Sequence, residues 1–291
     1  MLNVIVNSTS GKGKGARALR KVEKILQRRG VEYVVHKTNY PGHAAEIVRW
    51  LTKDGNCDIL VMGGDGSLNE ALNGVENFDG LRFGVIPCGT GNDFARVVGI
   101  PKKVKDALEV VLQGNARGVD FIQLDDRRAI NCAGAGIDVD TLVKYAEIKR
   151  LHGKIKYYVA LLSVLRKLKF HKATLELDGQ TTEESVFMIA IANGSHIGGG
   201  MPISPLSDAT DGLLNVVVIN ELKRSKVFGT LLKFLKGKHI YLPCTKLFTT
   251  KEATLTVLDE GKTEVDGEVW DGKKLHCVCV HDKLKMFLPN K

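Results

Sequence analysis

Four strand–helix alternations crowd into roughly the first 115 residues, and they constrain the fold more than any other feature of the chain. Apolar runs at Leu2–Val6, Val31–Lys37, Ile59–Met62 and Arg82–Ile86 read as strands. Each is followed by a stretch with three- and four-residue apolar spacing: Gly15–Arg29, His43–Lys53, Leu68–Val75 and Lys103–Gln113. Strands separated by helices pair in parallel through right-handed crossovers, so a doubly wound parallel sheet is expected.

After about Val119 the pattern changes. Short β-like runs occur at 129–134, 173–178, 186–192, 213–219, 253–258, 263–266 and 275–280, interrupted by two helical stretches. The expected organisation is an α/β domain over 1–122 and a mostly β, sandwich-like domain with helical insertions over 123–282. The sequence leaves open whether the last run, within 283–291, returns to the first domain.

The chain has 291 residues, 44% of them hydrophobic, enough for a core without disulfides or metals. Its six cysteines show no framework spacing, no apolar run approaches a membrane span, and the first residues read as a strand entering a Gly-rich turn rather than a leader. A cytoplasmic protein is expected. The formal charge of +9 is unevenly placed: residues 144–172 carry +8, residues 222–238 carry +6, and the remainder is −5. In Ile155–Phe170 the apolar positions 155, 158, 159, 162, 165 and 168 form a helical stripe with lysines and arginines between or beside them. Leu222, Val227, Phe228, Leu231, Leu232 and Leu235 do the same in the second segment. One reading is a pair of amphipathic helices with a solvated basic face. The other is a surface that rests peripherally on an anionic membrane. No zinc-finger, KH or RRM signature supports a nucleic-acid partner.

Three glycine clusters follow predicted strands, where open α/β sheets bind ligands. The first, Asn7-Ser-Thr-Ser-Gly-Lys-Gly-Lys-Gly15, lacks P-loop order but leads to a helix start, with Lys12 and Lys14 nearby. The second, Gly63-Gly-Asp-Gly-Ser-Leu-Asn-Glu70, lets backbone approach a polyphosphate and places Asp65 to face a metal or phosphate. Ser67, Asn69 and Glu70 stand at the start of the next helix. The third, Pro87-Cys-Gly-Thr-Gly-Asn-Asp-Phe-Ala95, offers Thr90 and Asn92 to phosphate or ribose, with Asp93 as a second carboxylate.

GGDGSLNE followed about 20 residues on by IPCGTGNDFAR resembles the catalytic domain of the diacylglycerol kinase family, shared with sphingosine kinases and bacterial lipid kinases. The resemblance covers nearly the whole chain and matches the soluble bacterial two-domain type. It implies a fold related to NAD kinases and phosphofructokinase-like proteins. It also implies nucleotide contacts from Asn7, Ser10, Thr38, the loop Gly64, Asp65, Gly66, Ser67, Leu68, Asn69, Glu70, and Thr90. Ile203–Val216 is similar to the family segment that holds a structural magnesium, which implies Asp211 as side-chain ligand with the carbonyls of Asp208 and Leu213. Here Thr210 stands where many relatives have a second aspartate. Glu264-Val-Asp-Gly-Glu-Val-Trp270 resembles the family's VDGE motif, which implies Glu268 as general base; the bare residues read as a hairpin turning at Asp266-Gly267. Asp65 is the other candidate catalytic carboxylate.

Asn193–Gly200 resembles a loop bordering the lipid cleft. His276-Cys-Val-Cys-Val-His281 offers four metal ligands by composition, but strand alternation puts His276 on the opposite face from the other three, so a core strand is expected. The reading is an ATP- and Mg²⁺-dependent lipid kinase, with diacylglycerol as acceptor. The alternatives are an NAD kinase-like enzyme, another lipid kinase (sphingosine, phosphatidylglycerol or a polyprenol-like alcohol), and a non-catalytic lipid-binding relative. The oligomeric state is open, a homodimer included.

Overall fold

Each of the four strand–helix pairs forms, in a computed structural model that describes residues 1–7, 10–151 and 153–290. They are β1 (Leu2–Val6) and α1 (Ser10–Arg28), β2 (Tyr33–Lys37) and α2 (His43–Leu51), and β3 (Asp58–Gly63) and α3 (Asp65–Asn73). After β4 (Arg82–Pro87) a short helix α4 (Asp93–Val97) precedes α5 (Val104–Leu112). Helix α4 was not expected, because its five residues span little more than one turn and leave no periodicity to read. β1 pairs in parallel with β2 and β3, and β3 with β4, giving the order β2-β1-β3-β4. The chain moves one way from β1 to β2 and the other way from β2 through β3 to β4. Right-handed crossovers therefore put α1 on one face and α2 and α3 on the other. The packing agrees: α1 meets α5, and α2 meets α3. The central strands are mainly apolar and, apart from Asp58 at the start of β3, buried, Asn3 of β1 included, as a sheet covered on both faces requires.

A strand the sequence did not announce, β5 (Ala116–Gln123), follows, with a short β6 (Arg128–Ala129) paired to it. Then come β7 (Cys132–Gly136), α6 (Ile137–Glu147), α7 (Gly153–Arg166), β8 (His171–Leu177), β9 (Gln180–Ala192), β10 (Leu214–Asn220) and α8 (Arg224–Phe234). The chain ends with β11 (Thr245–Thr250), β12 (Glu252–Val257), β13 (Thr263–Val265), β14 (Glu268–Trp270) and β15 (Lys274–Phe287). Two compact units result. The first is Met1–Phe121 with Ala209–Gly212 and Val280–Lys291; the second is Ile122–Asp208 with Leu213–Cys279. The expected runs at 275–280 and 284–288 are one strand. β15 pairs antiparallel with β12 over Lys274–Val278, and in parallel with β4 at Lys285 and Met286. Ala209–Gly212, assigned on sequence to the second domain, packs with the first unit.

In the second unit the long strand β9 is the hub. Its first half pairs with β8 and its second half lies between β7 and β10, all antiparallel. Val186, Ile189 and Ile191 enter one apolar core, shared with β8, β10 and β12; Phe187, Met188 and Ala190 enter another, beneath α6, α7 and α8. Burial on both faces explains why this stretch reads as an unbroken apolar run.

Helix α7 divides the apolar stripe read from the sequence. Ile155, Tyr158, Val159 and Leu162 are exposed, whereas Leu165 packs on the core and Leu168 is buried; Ala160 and Leu161 are buried too, and Tyr157 and Val164 pack on the core. The helix is apolar on more than one side, so two stripes satisfy the same spacing and periodicity cannot choose between them. Its end at Arg166 leaves Lys167–Phe170 outside the helix. In α8, Val227 is buried whereas Phe228, Leu232 and the following Leu235 are exposed. Among the described residues no helix is long and apolar enough to cross a membrane.

An ionic clamp ties α6 to the sheet. The His171 ring bonds Asp140 of α6 at 3.0 Å and Asp259, in the loop after β12, at 3.1 Å. The Asp140 bond, ahead of the opposing effect of burial, raises the imidazole to about 9, so it is protonated at neutral pH. A raised cation stabilises the fold fully below its unfolded value of about 6.5 and loses that contribution as pH climbs through the folded value. Asp140→Asn should therefore lower urea stability most between pH 5.5 and 6.5, and the gap from wild type should close by about pH 9.5.

Candidate active site

Parallel pairing of β3 and β4 in the register Gly63↔Pro87 delivers the second and third Gly-rich loops to one edge of the sheet. There the backbones nearly touch. Cys88 and Gly89 donate their N–H groups to Gly63 O at 2.8 and 3.2 Å, and a Cβ on Gly64 would stand 3.0 Å from Gly89 Cα. A side chain at either Gly64 or Gly89 would push the loops apart, which is the physical reason for glycine in both. Asn92 closes the third loop on itself in a left-handed conformation. Its Oδ1 accepts the Gly89 N–H at 2.9 Å and its Nδ2 donates to Gly89 O at 3.0 Å. Both of its amide atoms thus shape the loop, while Thr90 is exposed beside it.

Asp65 opens α3, and its Oδ1 accepts the Phe94 N–H at 3.1 Å, pinning α3 to α4. Burial, with the charge of Asp93 adding to it, holds the Asp65 carboxyl above the ordinary carboxylate range. Asp93 is buried and ion-paired to Arg96 at 2.6 Å, a partner the sequence reading did not single out although it lies one turn on. Burial raises the Cys88 thiol to about 11, and the opposing influence of Lys14 places that ammonium near the third loop. Ser10 and Lys12 have side chains outside the described set.

Four of the residues expected to contact nucleotide line one cleft of about 210 Å³: Asn7, Thr38, Ser67 and Glu70. Thr38 is held there by its N–H to Val6 O at 3.0 Å, which continues the β1–β2 ladder by one residue. The cleft adds Asn39 and Tyr40, which sequence reasoning missed; Tyr40 stacks on His43 at 4.5 Å and donates to Glu46 at 2.7 Å. An aromatic beside a Pro-Gly turn was the available signal. Leu68 is a core residue, 2% exposed, and Asn69 accepts a bond from Asn73 at 3.1 Å, one turn along α3. Gly66 is exposed on the same first turn.

The segment expected to hold magnesium is divided between the units, Asp211 in the first and Asp208 and Leu213 in the second. The Ala209–Gly212 strap is tied to β5 through fully buried Asp120. The Asp120 N–H donates to Ala209 O at 2.8 Å, and its Oδ2 accepts the Gly212 N–H at 2.7 Å. Its Oδ1 lies 2.7 Å from His281 Nδ1. Asp120 and His281 were not anticipated as partners, since 161 residues separate them. Carboxylate and carbonyl oxygens are the donors a hard cation takes, so the residue types around Asp211 suit Mg²⁺. Among the described residues no cluster of three or more His, Cys, Asp or Glu forms a cage. The His276–His281 run is a strand as expected, with Cys277 buried and His276 turned to Glu252 at 2.7 Å.

In the second unit the VDGE segment is the expected hairpin. Val265 pairs with Glu268, and Asp266 and Gly267 both have positive φ, +49° and +83°, as a two-residue turn matched to strand twist requires. Asp266 accepts three N–H groups, from Ile130, Asn131 and Cys132, at 2.7, 2.8 and 3.0 Å. Glu268 stands exposed just beyond the turn. In the Asn193–Gly200 loop, Asn193 is buried and donates to Ile130 O at 2.7 Å, and His196 Nδ1 lies 2.9 Å from Ser195 Oγ.

Residues 1–124 match the family described as diacylglycerol kinase catalytic domain, and residues 131–287 match the YegS C-terminal NAD kinase beta sandwich-like domain. The chain belongs to the diacylglycerol kinase family. It is 31% identical over 265 residues to a diacylglycerol kinase of Mycobacterium tuberculosis, covering 88% of this chain and 84% of that one. It is 28% identical over 271 residues to the diacylglycerol kinase of Bacillus subtilis, covering 91% and 88%. A crystal structure of a diacylglycerol kinase from Bacillus anthracis has the same fold, with a TM-score of 0.73, 20% identity, and coverage of 99% and 96%. Membership makes the chain a phosphotransferase with an alcohol acceptor, of the lipid kinase type.

Asp266→Ala would strand three backbone donors. It should lower urea stability by about 2–3 kcal/mol and speed amide exchange at Ile130–Cys132 while leaving exchange in β1–β4 unchanged.

Proposed function

We propose that this kinase transfers the γ-phosphate of ATP to the free hydroxyl of diacylglycerol, forming phosphatidic acid at an anionic membrane surface on the cytoplasmic side. The observation that carries the nucleotide half is the convergence of Asn7, Thr38, Ser67 and Glu70 on one cleft beside the paired glycine loops. The first turn of α3 presents backbone N–H groups and the positive end of the helix dipole to phosphate oxygens, and Gly64 and Gly89 let the backbone come close. Lys14 adds positive charge near the third loop. Asp65 and Asp93 form an acidic pair beside it; Asp65 would hold the metal that accompanies ATP. Magnesium supplies charge neutralisation for phosphoryl transfer when bound. Asp211 with the carbonyls of Asp208 and Leu213 would hold the structural ion.

Glu268 takes the proton of the lipid hydroxyl as its oxygen bonds to the γ-phosphorus and the bond to the β-phosphate oxygen breaks, releasing ADP. Its exposure on β14 leaves the carboxylate open to an incoming substrate. The membrane half rests on the second unit. Ile155, Tyr158, Val159 and Leu162 of α7, and Phe228 and Leu232 of α8, are exposed within the two segments that hold the whole positive surplus. Apolar side chains insert at the headgroup boundary while each Lys or Arg near the surface contributes about 1 kcal/mol.

Radiolabelled phosphate transfer from Mg-ATP across diacylglycerol, sphingosine, phosphatidylglycerol, a polyprenol and soluble NAD tests the acceptor. Diacylglycerol in mixed micelles should be labelled fastest, and labelling of NAD alone would refute the proposal. Glu268→Gln should reduce kcat by roughly 100-fold or more with the KM for ATP within threefold. A double change, Ile155→Ser with Leu162→Ser, should cut the rate on anionic vesicles about tenfold yet spare short-chain diacylglycerol; equal losses on both would refute membrane docking by α7.

A further inference from the structure

The hairpin bearing Glu268 is held by two carboxyl groups, and only Asp266 belongs to the family motif. The other is Glu264 on β13, 3% exposed and paired in the ladder with Gly134 of β7. Its Oε2 accepts the N–H of Gly267, the residue directly before Glu268, at 2.6 Å. Its Oε1 lies 3.3 Å from Cys132 Sγ, a contact in which a protonated carboxyl can donate to the sulfur. In a two-residue turn the two central N–H groups are not used by the ladder. Here both are taken, that of Asp266 by Cys132 O at 2.9 Å and that of Gly267 by Glu264. The Glu264 carboxyl thus holds the Asp266–Gly267 peptide of the turn, at the residue directly before Glu268.

The surroundings of Glu264 are acidic on each side. Asp138 at the start of α6, Asp266 in the turn, Cys132 on β7 and Tyr157 of α7 act on it, and none of them is a cation. Asp138 itself faces Asp140 and His171. Although Asp138 is half-buried as a residue, both of its carboxylate oxygens are enclosed, and the backbone N–H groups of Val139 and of Asp138 itself ease its charge only in part. Burial first, and then the negative charge each feels from the other carboxylates, raises both groups well above the ordinary carboxylate range, Glu264 furthest. Two enclosed carboxyls that act on each other cannot both ionise at modest cost, and the one imidazolium nearby, His171, acts on Asp138.

We propose that Glu264 is a positioning residue for Glu268, that it holds the turn in its neutral, protonated form, and that its ionisation beside Asp138 sets the alkaline limit of phosphate transfer. Gaining a third buried negative charge next to Asp138 and Asp266 forces the hairpin to yield, and Glu268 moves with it. This rests on the reading of Glu268 as the base. Glutamine at 264 keeps an oxygen for the Gly267 N–H and cannot ionise; alanine removes the contact.

The test is the pH profile of kcat for wild type, Glu264→Gln and Glu264→Ala, measured with Mg-ATP and short-chain diacylglycerol in mixed micelles. It is paired with urea stability of wild type and Glu264→Gln from pH 5 to 9.5. Wild-type kcat should fall above about pH 8, and Glu264→Gln should match wild type within threefold at pH 7 with its alkaline fall displaced upward by a unit or more. Glu264→Ala should lose tenfold or more in kcat with the KM for ATP within twofold. A folded-state value raised above the unfolded one means stability is lost as pH rises, so the advantage of Glu264→Gln over wild type should grow from pH 5 to about 8 and then level. Identical alkaline limbs in wild type and Glu264→Gln overturn the proposal, as does full kcat in a folded Glu264→Ala. Failure of the Glu268 reading looks different: Glu268→Gln keeps its activity while the pH-dependent stability difference at 264 persists.

Discussion

The contact between Gly64 and Gly89 is the constraint on which the Gly-rich end of the first unit depends. Parallel pairing of β3 and β4 sends both following loops out at the same edge, only one strand spacing apart. Two loops that close can coexist only if backbone packs on backbone, and the N–H bonds from Cys88 and Gly89 to Gly63 lock that arrangement. Everything else at the edge follows from it. Asp65 reaches Phe94 because α3 and α4 start from the touching loops, and Asp93 is driven into a buried pair with Arg96. A residue with a side chain at either glycine would separate α3 from α4 and open the cleft beside Thr38.

The second unit solves a different problem, that of holding carboxylates on a short hairpin. The turn at Asp266-Gly267 has three residues of ladder on each side, too little to fix it by itself. Asp266 anchors it to the backbone before β7 with three bonds, and Glu264 captures the remaining turn N–H. Concentrating acid in this way is costly because burial withholds solvation, and the upward shifts of Glu264 and Asp138 record that cost, with His171 offsetting part of it at Asp138. His171 shows the opposite solution a few residues away: two aspartates share one imidazolium, and the cation stays charged well above its usual range.

The positive surplus of the chain has a structural counterpart. The segments read as amphipathic helices show several of their apolar side chains outward, among the lysines and arginines. An exposed face of Ile155, Tyr158, Val159 and Leu162 is unusual for a helix that meets only water. The sequence spacing was right, but it was satisfied twice around α7.

Local signals carried much of the architecture. Strand–helix alternation, the Gly-rich loops and the Asp-Gly turn are short-range patterns whose chemistry forces one backbone geometry, and β1 to β4 and the β13–β14 hairpin were legible from them. The family was legible for the same reason, since its two glycine motifs lie in one continuous stretch. What depended on long-range packing was not. The spacing of α7 admits two buried faces, and only the sheet beneath selects one. Two β-like runs separated by His281-Asp282-Lys283 are a single strand because β12 and β4 are both there to pair with it. Asp120 with His281, Asp138 with Glu264, and Tyr40 in the cleft are partnerships between distant or irregular segments, and a hydrogen bond or a buried charge has no sequence period. The amino-acid order decided which elements form and which chemistry their ends carry. The tertiary structure alone decided which side chains meet, because burial and electrostatic coupling depend on distance through space rather than along the chain.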